Sequence, residues 1–226
     1  MIKKRRQSLV VVLALVGILV FWFGQKNDWL AVSPLTQLRH HENVVAVDFV
    51  EEANQKLAQT GRHMPLILQT DERWYYEAYG RESEDNFLGV NGCALAALAM
   101  VGSYWQERLI EPVEILNWAQ NDYYLPGQGT MWRIFSDYAH AIGLLSHDLG
   151  NDFATAKYYM TLGYPVLVSV KPGFFTDVGH IMVLMADEHG NTLVFDPNDS
   201  PDKRHYVQTF SDELLLNEGI NYWVYQ

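Results

Sequence analysis

Residues 91–105, NGCALAALAMVGSYW, predict an apolar helix that opens at Asn91-Gly92. The predicted helix begins at Cys93, the single cysteine of the chain. A thiol at this position lies at the positive end of the helix dipole and beside unpaired backbone N–H groups, and both lower the pKa of a thiol. On this residue alone, a small buried side chain at the start of a core helix is the favoured interpretation, because free cysteines are commonly buried.

The pattern around this helix predicts helices first and strands last. Further helices are predicted over residues 111–121, 130–142 and 152–162. The period then changes to that of strands, which are predicted at 165–170, 180–186, 192–195 and 220–225, after a short strand at 66–69. A turn at 189–191 joins two of them. This order predicts an α+β domain in which the helices pack on an antiparallel sheet.

Two polar residues lie at the ends of the strands that this turn joins. His180 begins strand 180–186, and Asp196 follows strand 192–195 and precedes Pro197. Since a hairpin places the beginning of one strand opposite the end of the next, the two side chains are expected to lie side by side. The carboxylate would then accept the imidazole N–H and fix its tautomer. A lone histidine at a strand edge and an ordinary Asp-Pro-Asn turn are the alternatives for these residues.

A further polar residue, Gln69, ends the short strand that precedes the cysteine. A side-chain amide beside the backbone N–H of Cys93 would form an oxyanion hole. From the residues alone, a solvated loop glutamine is the favoured interpretation of Gln69.

These residues stand in stretches that resemble the C39-like family of cysteine peptidases, which have a papain-like fold. The similar stretches are LILQTDERWYYEAYG (66–80), NGCALAALAMVGSYW (91–105), GYPVLVSV (163–170), GHIMVLMA (179–186) and VFDPN (194–198). The resemblance implies a cysteine peptidase in which Cys93 is the nucleophile and His180 the general base and acid. It further implies that Asp196 orients the histidine and that Gln69 is the oxyanion donor.

The sequence departs from the family pattern directly after the cysteine. Residues 94–97 are Ala-Leu-Ala-Ala, where family members often carry Gly, Pro or a hydroxyl residue. This difference bears on how the helix start is held. The difference is not expected to disable the nucleophile. A catalytically silent papain-like module that binds a peptide or a cell-wall component is a separate alternative function. Acyl transfer and peptidoglycan cleavage would use the same triad as proteolysis, so the residues do not separate them.

The first 24 residues predict the location of this domain. Four basic residues at positions 3–6 precede LVVVLALVGILVFWFG (9–24), which carries no charge and would be about 24 Å long as a helix. The basic cluster is expected to stay in the cytoplasm. The sequence therefore predicts a cytoplasmic tail (1–7), a transmembrane signal anchor (8–24), an extracytoplasmic stalk (25–62) and a stand-alone peptidase domain (63–226). A cleaved signal peptide, which would give a secreted protein, and a buried core helix are the alternatives.

Charge and composition narrow the classes of partner. The net charge is −11, and because four of the 16 basic residues precede residue 7, 27 acidic residues face 12 basic ones afterwards. Such an acidic body is a poor nucleic-acid binder, so a peptide or protein substrate and the membrane are the expected partners. The remaining histidines, including His205, are scattered, and no metal or other cofactor is expected. The charges around Asp199 and Asp202 predict a solvated loop.

Overall fold

The computed structural model describes residues 43–80 and 86–226. The helices in this part of the chain are α1 (Val47–Gln59), α2 (Leu88–Asn91), α3 (Cys93–Gln106), α4 (Pro112–Ala119), α5 (Arg133–Ala141), α6 (Phe153–Thr161) and α7 (Asp212–Glu218). A short 3₁₀ helix covers His205–Val207. The predicted apolar helix is thus present as α3, and it begins at Cys93 as expected.

The strands form a two-stranded ribbon and a six-stranded sheet. The ribbon consists of β1 (Tyr124–Leu125) and β2 (Gly129–Thr130). The sheet consists of β3 (Ser146–Gly150), β4 (Val166–Val170), β5 (His180–Ala186), β6 (Thr192–Phe195), β7 (Thr209–Phe210) and β8 (Gly219–Tyr225). Its order is β3-β8-β4-β5-β6-β7, and every neighbouring pair is antiparallel. The predicted α+β class with an antiparallel sheet is confirmed.

The central strands are apolar throughout because both faces of the sheet are covered. Along β4, Leu167 belongs to the larger core, which includes α1, α3 and α5, whereas Val166 and Val168 belong to the smaller core beneath α6 and α7. The same alternation divides β5, where Val183 lies in the larger core and Met182 in the smaller one. Helix α3 packs directly on β5. The start of β5 is therefore held against the start of α3.

The segment at 66–69 is not a strand, contrary to the prediction. Its side chains are buried, but its backbone N–H and C=O groups form their hydrogen bonds with partners other than a strand. The side-chain amide of Asn54 on α1 accepts from Leu66 N at 2.8 Å and donates to Leu66 O at 2.9 Å. Gln69 N donates to the carbonyl of Pro197 at 2.8 Å. A side chain and a loop thus replace the neighbouring strand that a sheet would supply.

The described part of the predicted stalk, 25–62, needs correction. The compact unit begins at Val44, and α1 packs on it through Val50, Ala53 and Leu57, all of them buried in the larger core. Val45 forms a parallel bridge with Asp71. Residues 44–62 therefore belong to the domain, whose start was predicted at 63. The predicted tail, the anchor and the rest of the stalk lie outside the described residues.

Within the ranges that the structure describes, no helix has the length and apolarity needed to cross a membrane.

The packing of α1 predicts that it contributes to the stability of the domain. Leu57→Ala should lower the free energy of unfolding by about 2–5 kcal/mol, because it leaves a cavity in the core. Gln55→Ala, on the exposed face of the same helix, should change it by less than about 0.5 kcal/mol. The measurement is chemical denaturation of both variants. Equal stabilities for the two would mean that α1 is an independent stalk.

Candidate active site

Cys93 lies where two helices meet. Helix α2 ends at Asn91, Gly92 caps α3, and Cys93 is the first residue of α3. A Cβ at Gly92 would lie 2.4 Å from the carbonyl oxygen of Leu88, so a larger residue would push the two helices apart. The Cys93 side chain is partly exposed. Burial raises the pKa of its thiol, whereas His180 and, to a smaller extent, the backbone N–H groups of Ile181, on β5, and of Ala94, in the first turn of α3, lower it.

His180 lies between Cys93 and Asp196. It is the first residue of β5 and only 7% exposed. Its Nε2 lies 2.7 Å from Asp196 Oδ1, and because an ionised carboxylate can only accept, Nε2 donates. The imidazole also interacts with Cys93 closely enough to lower the pKa of the thiol. With Nε2 committed to Asp196, Nδ1 is the ring nitrogen left for the thiol.

Asp196 follows β6 and is completely buried. The β5–β6 hairpin pairs Val183 with Phe195, so the residue after β6 comes beside the start of β5. Its Oδ1 accepts a second hydrogen bond, from the backbone N–H of Asn198 at 2.8 Å. The structure therefore brings Asp196 and His180 together in the way that the hairpin argument predicted.

The three groups shift one another's pKa values. Burial alone would raise the pKa of Cys93, but the hydrogen bond and charge of His180 outweigh burial and lower it. Burial would lower the pKa of His180, yet Asp196 and Cys93 raise it to about 10. Burial would likewise raise the pKa of Asp196, and the charge and hydrogen bond of His180 hold it well below its usual value. These shifts favour a thiolate at Cys93, an imidazolium at His180 and a carboxylate at Asp196.

Gln69 is buried beside α2, just ahead of the cysteine, and is not a solvated loop residue. Its Nε2 donates to Gly89 O at 2.9 Å and lies 3.3 Å from Val90 O. Its Oε1 is buried without a hydrogen-bond partner. The side chain is thus close to the helix junction that carries Cys93, but its amide is turned to the α2 carbonyl groups.

The charges around Asp199 and Asp202 were predicted to form a solvated loop, and this is wrong for Asp199. Asp199 has no exposed surface. Its carboxylate accepts from three backbone N–H groups, those of Ser200 at 2.8 Å and of His205 and Tyr206 at 3.0 Å each. Burial raises its pKa in spite of these donors. The loop is therefore folded around a carboxylate, and it turns His205 inwards.

His205 is the residue of this site that sequence reasoning missed. Its Nδ1 lies 2.9 Å from Asp196 Oδ2, the oxygen that His180 does not use. Lys203 Nζ lies 3.8 Å from the same oxygen. The sequence DPNDSPDKRHY (196–206) could have indicated it, because a second aspartate and a histidine follow Asp196 closely.

Two further features of the described residues are the aromatic run at 74–76 and a cavity beside α1. Trp74 and Tyr75 are buried, and the former donates to Leu68 O at 2.7 Å, whereas Tyr76 is about half exposed. A cavity of about 680 Å³ between α1 and residues 62–67 is lined by neither Cys93 nor His180. In the described ranges, no group of three or more His, Cys, Asp or Glu residues is arranged to hold a metal ion.

Residues 62–225 match the model of the Peptidase_C39 like family, and the chain belongs to this family, whose members are cysteine peptidases. The predicted family is thereby confirmed. The search of the curated proteins finds no match.

Several solved structures are similar to the chain. The peptidase domain of Streptococcus ComA, a bifunctional ABC transporter involved in a quorum-sensing pathway, is 19% identical over 66% of this chain and 96% of its own, with a TM-score of 0.46. The peptidase domain of Streptococcus mutans ComA is 18% identical over 67% and 99%, with a TM-score of 0.41. A double-glycine motif protease from an AMS/PCAT transporter, solved with a leader peptide, is 15% identical over 59% and 82%, with a TM-score of 0.42.

The burial of Asp199 predicts that it stabilises the loop after β6. Asp199→Ala should lower the free energy of unfolding by more than about 2 kcal/mol, because it removes the acceptor of three backbone N–H groups. Asp202→Ala, at an exposed position of the same loop, should change it by less than about 0.5 kcal/mol. Trypsin cleavage after Lys203 should also become faster in Asp199→Ala only. Equal behaviour of the two variants would show that the loop is solvated after all.

Proposed function

We propose that the protein is a cysteine peptidase in which Cys93 is the nucleophile, His180 the general base and acid, and Asp196 the group that orients His180. The single observation that carries this proposal is the hydrogen bond of 2.7 Å between His180 Nε2 and Asp196 Oδ1, made by an imidazole that also lowers the pKa of Cys93. Family membership supports it, because the family consists of cysteine peptidases. The substrate is a peptide or a protein, and the acidic body argues against nucleic acid.

The proposed reaction follows from the charges of Cys93, His180 and Asp196. The Cys93 thiolate attacks the carbonyl carbon of a peptide bond, and the carbonyl oxygen takes the negative charge. His180 then gives its Nδ1 proton to the leaving nitrogen, the C–N bond breaks, and a thioester remains on Cys93. Water attacks the thioester, His180 takes one of its protons, and the thiolate leaves with release of the carboxylic acid product. Asp196 keeps Nε2–H of His180 bound throughout.

Two donors are proposed for the oxyanion. One is the backbone N–H of Cys93, at the start of α3. The other is Nε2 of Gln69, whose second hydrogen has only the longer contact of 3.3 Å, to Val90 O. For Gln69 to act, this hydrogen must turn from Val90 to the substrate.

The alternative is a catalytically silent module that binds a peptide or a cell-wall component. The observation that favours it is the orientation of Gln69, whose amide hydrogens face the carbonyl groups of Gly89 and Val90. An activated thiol at Cys93 would distinguish the two functions, because a binding module has no need of one.

The thiolate–imidazolium pair predicts fast alkylation of Cys93 in mild acid. Because the pKa of Cys93 is lowered and that of His180 is raised to about 10, the thiolate is present well below the pKa of a free thiol. Iodoacetamide at pH 6 should label Cys93, and His180→Ala should slow labelling on the order of 10²-fold. The rate is measured by mass spectrometry, which needs no other cysteine to be removed.

His189→Ala is the matched control, since His189 lies in the exposed β5–β6 turn, and its labelling should equal that of the wild type. Gln69→Ala separates activation from turnover. It should leave labelling intact and lower kcat of peptide hydrolysis about 10²–10³-fold, the usual loss for one oxyanion donor. Hydrolysis should also fall as the pH rises through about 10, where His180 loses the proton for the leaving group. Unchanged labelling in His180→Ala would favour the silent module.

The proposed location is the outer face of a membrane, with residues 1–7 in the cytoplasm, residues 8–24 as an uncleaved anchor, and residues 25–226 outside the cytoplasm with a stand-alone peptidase domain. It is supported by the basic cluster at 3–6 and the uncharged run that follows. A secreted form after signal cleavage is the alternative.

The anchor predicts that the domain sediments with membranes and is digested by a protease added outside intact cells. Replacing Leu13 and Val16 together by Arg should abolish membrane retention, because each charge in the centre of the span costs about 2.5–3.5 kcal/mol. A soluble wild-type form that begins near Pro34 would establish the cleaved signal peptide instead.

A further inference from the structure

The carboxylate of Asp196 is bound by two histidines, one on each oxygen. Oδ1 accepts from His180 Nε2 at 2.7 Å, and Oδ2 accepts from His205 Nδ1 at 2.9 Å. All three side chains are buried, since Asp196 has no exposed surface and His180 and His205 expose 7% and 5%. The reaction proposed above uses His180 and Asp196 but assigns nothing to His205.

We propose that His205 is a positioning residue, which holds Asp196 in the orientation that directs Oδ1 to His180 and so supports activation of Cys93. This inference rests on the proposed function, because it concerns the activation of the same thiol. His205 acts only through Asp196 in this scheme and does not itself touch the substrate.

His205 is held in place on several sides. Its backbone N–H donates to Asp199 Oδ1 at 3.0 Å. Its ring lies among Phe174, Phe175 and Phe210, with ring centroids 6.0, 5.7 and 5.4 Å away. Phe174 stacks on the imidazole at 29°, and the other two meet it edge-on. A ring packed in this way cannot turn without disturbing its neighbours, so its N–H group is preorganised for Asp196.

The direction of the hydrogen bond follows from the charge of Asp196. An ionised carboxylate has no proton to donate, so the proton lies on Nδ1 of His205. Three titratable side chains face Asp196 in the described ranges, namely His180, His205 and Lys203. Lys203 Nζ is 3.8 Å from Oδ2 and donates to Asn198 O at 2.7 Å. His205 is therefore the close donor to Oδ2.

Loss of this donor would act on His180 by either of two routes. With no exposed surface, Asp196 cannot replace a lost donor by bulk water without a rearrangement. It then either takes up a proton at a higher pH or turns towards another donor. In both cases the imidazolium of His180 loses stabilisation, and the Cys93 thiolate forms at a higher pH.

The test is the pH profile of iodoacetamide labelling of Cys93 in the full-length protein. His205→Leu should move the midpoint upwards by about one pH unit, which means about tenfold slower labelling below the midpoint. His205→Asn should restore most of the profile, because the asparagine amide can place an N–H group near the position of Nδ1. His189→Leu, in an exposed turn, should keep the wild-type profile. A role in packing alone would not separate Asn from Leu at position 205 in this way.

The outcomes separate the two proposals. A midpoint that stays or moves down in folded His205→Leu, while His180→Ala changes the profile, overturns the role of His205 alone. If His180→Ala also leaves the profile unchanged, the proposed peptidase mechanism fails. Should His205→Leu not fold, the ring nitrogens of wild-type His205 are assigned by ¹⁵N NMR. A proton on Nδ1 supports the inference, and a neutral ring protonated only at Nε2 overturns it.

Discussion

A single buried carboxylate, Asp196, holds the parts of the site together. An ionised carboxylate without exposed surface is costly to place in a protein interior, and donors must replace the water that it has lost. Here the donors come from different segments, namely His180 at the start of β5, the backbone of Asn198 after β6, and His205 in the 3₁₀ helix. The need to satisfy one charge therefore determines how a strand, a turn and a loop are placed relative to one another.

The surroundings of Cys93 are set by the contact of α3 with β5. The strand contributes His180 and the N–H of Ile181, and the helix contributes the N–H of Ala94, and all three lower the pKa of the thiol. The position of β5 is in turn restrained by the two cores, because alternate residues of the strand are buried on opposite faces of the sheet. The same packing that stabilises the fold thus brings donors to the sulfur from two elements that are distant in sequence.

The sequence predicted the parts of this arrangement that depend on local pattern. Strands β5 and β6 have the predicted bounds because apolar runs are delimited by a glycine, a turn and Asp196. The short elements β3, β7 and α7 were not predicted, since their polar residues show no clear period and their pairing depends on distant strands.

Asp199 and His205 were missed for a related reason. A polar loop looks solvated in the sequence, and its burial depends on the phenylalanines at 174, 175 and 210 and on the three backbone N–H groups that turn to Asp199. The burial of α1 was likewise invisible until its neighbours in space were known.

The position of β8 in the sheet bears on the order in which the domain can assemble. This strand follows all the other described strands in sequence, yet it lies between β3 and β4 in the interior of the sheet. Synthesis proceeds from the N-terminus, so the edge of β4 has no neighbour on that side until residues 219–225 have left the ribosome. Within the described ranges, β8 is also the strand that joins β3 to the sheet. The helices can form before β8 emerges, but the sheet is completed only once residues 219–225 are free to pair with β4 and β3.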